Sequence, residues 1–201
     1  MSTRSGAPRQ TGIYDSLSRA LHWLIAALAV VVVSLGWAIG EAPRNTLTRD
    51  YALLLHRSTG LTILLLMSVR AAWQWRYPAP LLPTTLQGWE RALSRGTHFL
   101  LYLLFIGMPL AGYLNTAAAG HAVSVFGLIS IPPLMPENNR LSQIAIAVHL
   151  AGQYFVYLFV GLHVAGALRH GVLKRDGILE RRLPVRRTSG VRVSRTPQPP
   201  G

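Results

Sequence analysis

Four stretches of the chain are longer and more continuously apolar than the core of a small water-soluble domain requires. Residues 20–40 read ALHWLIAALAVVVVSLGWAIG, without a formal charge. At 1.5 Å per residue, about 20 such residues cross a hydrocarbon core of about 30 Å as a helix. The run is too long for the apolar region of a signal peptide, and no small-residue cleavage site follows it. Residues 51–75 form a second stretch, interrupted near its ends by Arg57 and Arg70. Both side chains are long enough to snorkel, or to bind something anionic. A third stretch, 92–115, contains Pro109 and Gly112, which predicts a kink whose freed backbone groups find partners on neighbouring helices. The fourth lies between Arg140 and Arg169, where 28 residues carry no formal charge. It would be about 42 Å long as a helix, so it tilts or projects beyond the bilayer.

The connections agree with four spans. NTAAAGHAVSVFGLISIPPLMPENN, at 115–139, is apolar but broken by Pro132, Pro133 and Pro136, which predicts an interfacial or re-entrant cap and not a fifth crossing. The pattern therefore predicts an all-α protein, an integral membrane four-helix bundle with helices at about 17–40, 48–75, 91–116 and 141–171. A flexible basic N-terminus (1–13) precedes the transmembrane domain (14–184). A disordered tail (185–201), rich in Arg, Pro, Ser and Thr, follows it.

Composition narrows the chemistry. Half of the 201 residues are hydrophobic (50%) and only 13% are charged, as in a membrane protein. The absence of cysteine excludes disulfides, iron–sulfur clusters and thiolate metal sites. The net charge of +13 changes meaning once it is placed along the chain. If both termini are cytoplasmic, 16 of the 20 Lys and Arg residues fall on the inner side. The outer side keeps Arg44, Arg49, Arg57 and Arg140, offset by Glu41, Asp50 and Glu137. This asymmetry follows the positive-inside rule, so the charge reports topology and no nucleic-acid partner is expected. Contact of the basic tail with anionic lipid fits the same distribution.

The histidines carry the candidate chemistry. His149 and His163 share the uncharged fourth span and are spaced by 14 residues. Fourteen steps of a helix return to within roughly 40° of the same face, about 21 Å further along the axis. Ionisable side chains at such depth usually mark a functional site. His22 lies near the inner start of the first span and His56 near the outer start of the second. The four therefore sort by depth into two level pairs, His22 with His163 and His56 with His149. Each pair joins the fourth helix to a different partner, the arrangement of axial ligands on either side of a flat macrocycle, and two b-type haems are inferred, one near each face.

Competing readings are a helix–helix hydrogen-bonding role, a zinc site and a proton relay. A zinc site would need carboxylates that the spans do not contain. His98 reads as an interfacial residue, with a hydrogen-bonding role or a quinone contact as alternatives. His121 reads as solvated. His170, seven residues after His163, is the rival ligand, and Arg169, Lys174 and Arg175 set it at headgroup level.

Several segments resemble the bacterial cytochrome b561 family, a group of dihaem four-helix membrane proteins related to the cytochrome b subunits of nickel–iron hydrogenases. They are SRALHW (18–23), LLHRSTG (54–60), HFLLYLLFIGMPLAGYL (98–114), VSVFGLISIPPL (123–134) and GLHVAGALRHGVLKRDGILERRLP (161–184). The resemblance covers about 14–184. It implies haem iron ligands at His22, His56, His149 and His163, two haem b cofactors, and residence in the bacterial inner membrane. It also implies electron exchange with a membrane quinone such as ubiquinone. Superoxide oxidation coupled to ubiquinone reduction, or service as the haem-bearing anchor of a larger dehydrogenase, are the alternatives. A redox partner protein and a homodimer both stay open as partners. Arg19, Arg57, Arg140 and Arg169 are the candidates for pairing with haem propionates by their sequence positions.

Overall fold

The computed structural model describes residues 15–78, 87–176 and 179. The expected basic N-terminus (1–13) and tail (185–201) lie outside the described residues. Four long helices make up the chain: α1 (Ser16–Glu41), α2 (Leu47–Arg76), α3 (Gly88–Ala118) and α4 (Asn139–Leu168), the last continuing as a π-helical segment (Arg169–Lys174). All four are long and apolar enough to cross a membrane. A two-stranded antiparallel hairpin, β1 (Val123–Val125) with β2 (Ile129–Ile131), occupies the connection between α3 and α4. The sequence pattern had marked this segment only as a cap. Its alternating VSV and ISI are too short to stand out from the apolar background, and the signal that makes the hairpin is its turn. Phe126 and Gly127 both take positive φ (51° and 73°), as the central residues of a type I′ turn do, and the Leu128 amide closes that turn by donating to the Val125 carbonyl at 3.0 Å.

Each helix starts where a polar side chain can satisfy its free amides. Asp15 accepts from the Ser18 amide at 2.9 Å and the Ser18 hydroxyl at 2.6 Å. Thr46 caps α2 and Asn138 caps α4, while Gln87 and Glu90 form a reciprocal capping box at α3. The C-terminus of α1 is held by the Arg49 guanidinium, which donates to the carbonyls of Ile39 and of Ala42 (3.1 Å). This bond also fixes the tight α1–α2 turn. Helix α3 runs on through Pro109.

The helices pack as two hairpins. α1 lies against α2, α3 against α4, and α2 joins them by packing on α3. A core of Ile25, Ile63 and Met67, with Tyr102, Phe105 and Ile106 around it, seals α1, α2 and α3 together. Elsewhere the large apolar side chains point outward, among them Val30, Leu65, Phe99 and Leu158, as expected where the solvent is lipid. α4 makes no close backbone contact with α1 or α2 among the described residues. A cleft therefore runs along the bundle between α4 and the α1–α2 hairpin, and side chains bridge it.

The two ends differ. At one end, called here the hairpin end, the β-turn is pinned to α2 by Ser58, which is fully buried. Its hydroxyl donates to the Leu54 carbonyl at 2.7 Å and accepts from the Phe126 amide at 2.8 Å. At the other, called the terminal end, buried Glu90 of α3 pairs with Arg169 and, at 2.6 Å, with Lys174 of the π-helical segment.

Asp15→Ala should lower stability by about 0.5–2 kcal/mol through loss of the α1 cap, read as a fall in thermal midpoint in detergent. Burial pushes the Asp15 carboxyl up, but hydrogen bonds from Ser18 and from Trp73 Nε1 outweigh it and hold it below the ordinary carboxylate value. A group whose pKa is lowered by folding stabilises above its unfolded value and stops doing so as pH falls through its folded one. The difference between wild type and variant should therefore close in acid, and a pH-independent difference would contradict the assigned cap.

Candidate functional site

The cleft is crossed at two levels by paired imidazoles. Near the hairpin end, the rings of His56 (α2) and His149 (α4) face each other with centres 6.0 Å apart and planes at 75°. Near the terminal end, the rings of His22 (α1) and His163 (α4) are also 6.0 Å apart, at 71°. A metal ion shared by two imidazoles separates their ring centres by about 6 Å, from two metal–nitrogen bonds of about 2 Å and about 1 Å from each nitrogen to its ring centre. Both pairs fit that requirement. The cleft in which α4 stands away from α1 and α2 is where a flat macrocycle around such an ion would lie.

Backbone groups aim the imidazoles of the hairpin-end pair. His56 Nδ1 lies 3.0 Å from the Val32 carbonyl of α1, and His149 Nδ1 lies 2.9 Å from the Met108 carbonyl of α3. A carbonyl oxygen can only accept, so each Nδ1 carries the proton and each Nε2 keeps its lone pair for a metal. One helical turn beyond each carbonyl stands a glycine, Gly36 after Val32 and Gly112 after Met108. A Cβ at Gly36 would sit 3.5 Å from the His56 ring, and one at Gly112 would sit 3.4 Å from the His149 ring. Each imidazole thus rests on the bare backbone of its own hairpin partner, α2 on α1 and α4 on α3.

Other candidate residues fall in varied places. His98, near the start of α3, is half-buried in the bundle, with its ring edge-on to His163 at 5.0 Å and its Nδ1 2.6 Å from the Ser94 carbonyl. The helical face that carries His98 could not be fixed before α3 was packed. His170 faces Asp176, with Nδ1 2.6 Å from Oδ2. His121 is exposed. Arg19 is half-buried one turn before His22, and Arg140 is exposed at the start of α4. Arg57 is exposed beside His56 and lines a cavity of about 260 Å³ with Asp50, Leu53, Leu54, Ala122 and Ser124. Arg169 is engaged by Glu90, and its guanidinium lies over the Trp89 ring, 5.5 Å from the centre. Trp37 Nε1 donates to the Tyr157 hydroxyl at 2.7 Å, a second kind of bridge between α1 and α4 that no sequence motif signals.

Residues 13–184 match the family model described as prokaryotic cytochrome b561. The chain is 32% identical over 174 residues to a Yersinia pestis protein named probable superoxide oxidase CybB, covering 87% of this chain and 97% of that one. It is 28% identical to cytochrome b561 homolog 2 of Escherichia coli K12 (85% of this chain, 90% of the relative). Homolog 1 of the same organism is 23% identical, with 83% and 94% covered.

Gly112→Val should crowd the His149 ring off the Met108 carbonyl and weaken retention of any metal-bearing group held by that imidazole about 10- to 100-fold, the usual effect of removing a ligand's outer partner. Gly107→Val, in the same helix but with nothing within 4 Å of its Cβ, should leave haem per purified chain unchanged. Equal haem content in the two variants would remove the positioning role of Gly112.

Proposed function

This chain belongs to the prokaryotic cytochrome b561 family, a family of membrane electron-transfer proteins, and we propose that it passes electrons across a bilayer between two bis-histidine b-type haems. His22 and His163 would hold the haem at the terminal end, and His56 and His149 the one at the hairpin end. One observation carries this reading: two facing imidazole pairs with ring centres 6.0 Å apart, at two levels of one cleft. The distribution of Lys and Arg supports a cytoplasmic terminal end and a bacterial inner-membrane location.

When bound, a b-type haem supplies a one-electron couple. The chain's residues determine what that couple is used for. With one imidazole from each side holding it, a haem at either site would serve electron transfer and would not bind oxygen or an organic substrate at its iron. The carbonyls of Val32 and Met108 fix the ring tautomers and raise the basicity of the ligating nitrogens. The 14-residue step from His149 to His163 sets the two sites roughly 21 Å apart along α4. Membrane quinone is the electron-exchange partner proposed first, because it reaches the bundle from within the bilayer.

Superoxide oxidation at the hairpin-end haem is the second reading. It is favoured by the name of the Yersinia pestis relative and by the Arg57-lined cavity beside His56. Against it stands the near balance of four basic and three acidic residues on that side, which would focus an anion weakly.

Single His→Ala substitutions at 22, 56, 149 and 163 should each remove one haem, while His170→Ala should leave both bound. Loss of a haem in the His170 variant would move a ligand from His163 to His170. Stopped-flow oxidation of the reduced protein by a water-soluble quinone, set beside reduction of the oxidised protein by superoxide, separates the two readings. Fast oxidation by quinone with no reduction by superoxide is expected for the first, and fast reduction by superoxide together with oxidation by quinone for a protein whose electrons enter from superoxide.

A further inference from the structure

Arg70 is a cation in the wrong place for a lipid anchor. It lies two turns inside α2 and is 5% exposed, so it turns into the bundle and does not snorkel. Its Nε donates to the Tyr102 hydroxyl of α3 at 2.9 Å, and its guanidinium lies 5.6 Å from the centre of that ring. No carboxylate pairs with it among the described residues, and its two terminal nitrogens make no hydrogen bond there. The carboxylates at this end are otherwise engaged: Asp15 with Ser18 and Trp73, Glu90 with Arg169 and Lys174, Asp176 with His170. Glu41, Asp50 and Glu137 belong to the opposite end. A buried charge without a counter-charge is costly, and intramembrane cations of this kind mark functional sites.

Its level in the bundle points to the anion it would meet. Met67, one turn before Arg70 on α2, packs in the core with Ile25, one turn after His22 on α1. Tyr102 stands one turn after His98 on α3, and His98 touches His163. Arg70 therefore lies level with the His22–His163 pair, enclosed by three helices. Arg169, which the sequence offered for the same task, is already committed to Glu90.

We propose that Arg70, held in place by Tyr102, binds the propionate carboxylates of the haem between His22 and His163. The assignment rests on the dihaem reading above. A guanidinium offers a fork of donors that matches a carboxylate, and its fixed positive charge favours the reduced haem.

The test uses the full chain, purified with its haems, in Arg70→Gln, Arg70→Lys and Tyr102→Phe forms. Haem transfer to excess apomyoglobin and potentiometric titration are the readouts. In Arg70→Gln, one haem should leave at least about tenfold faster and its midpoint potential should fall, while the other haem keeps both properties. The affected haem should be the one absent from His22→Ala. Arg70→Lys should restore the potential and only part of the retention, because the charge returns without the fork. Tyr102→Phe should speed loss of the same haem by a smaller factor. Unchanged retention and potentials in Arg70→Gln, or a change confined to the other haem, would overturn the proposal. If Arg70→Gln does not fold, Arg70→Lys decides alone, faster loss of the His22-dependent haem supporting the assignment and unchanged loss refuting it. Wild-type protein without haem would instead sink the dihaem reading itself.

Discussion

The organisation of this bundle depends on keeping α4 away from α1 and α2. Helices that pack directly approach within 8–10 Å, and α4 does this only with α3. Across the remaining gap the chain places two pairs of imidazoles and one Trp–Tyr hydrogen bond. The two hairpins supply rigid walls: α1–α2 is closed by the Arg49 cap and the Ile25–Ile63–Met67 core, and α3–α4 by the bond from the Ser142 hydroxyl to the Asn115 carbonyl at 3.0 Å. The hairpin-end pair repeats one device in both walls, an imidazole resting on a glycine and bonded to the carbonyl a turn before it.

Much of this is legible in the chain. Apolar run length gives four membrane-crossing helices, because a helix satisfies its backbone amides and carbonyls within its own segment and so can cross lipid. Depth is legible too, since a residue's distance from its span's end is counted in residues. His22 and His163 share one level on that count and His56 and His149 another, and the rings do meet as those two pairs. Azimuth is less readable. His98 and Arg70 sit in spans that are apolar all round, where no periodic polar face says which way a side chain turns. Packing on α2, α3 and α4 decides it, and brings His98 to His163 and Arg70 to Tyr102. The carbonyl partners of His56 and His149 are backbone atoms and carry no signature of their own. Gly36 and Gly112 gain meaning only once the ring beside each is known.

Charge divides into two roles that the net value of +13 conceals. Among the described residues most Lys and Arg lie toward the terminal end, the kind of asymmetry that orients a membrane protein. A few are structural: Arg49 closes a turn, and Arg169 and Lys174 tie the π-helical end of α4 to Glu90. That tie anchors the segment just beyond His163, so the same ion cluster that ends α4 also limits how far its terminal-end imidazole can move.

The account turns on what fills the cleft. Its most direct test is a dithionite-reduced minus oxidised spectrum of the purified protein, with haem counted per chain. Two low-spin b-type haems per chain are predicted, one for each imidazole pair. A single haem, a high-spin spectrum or no haem at all would contradict it.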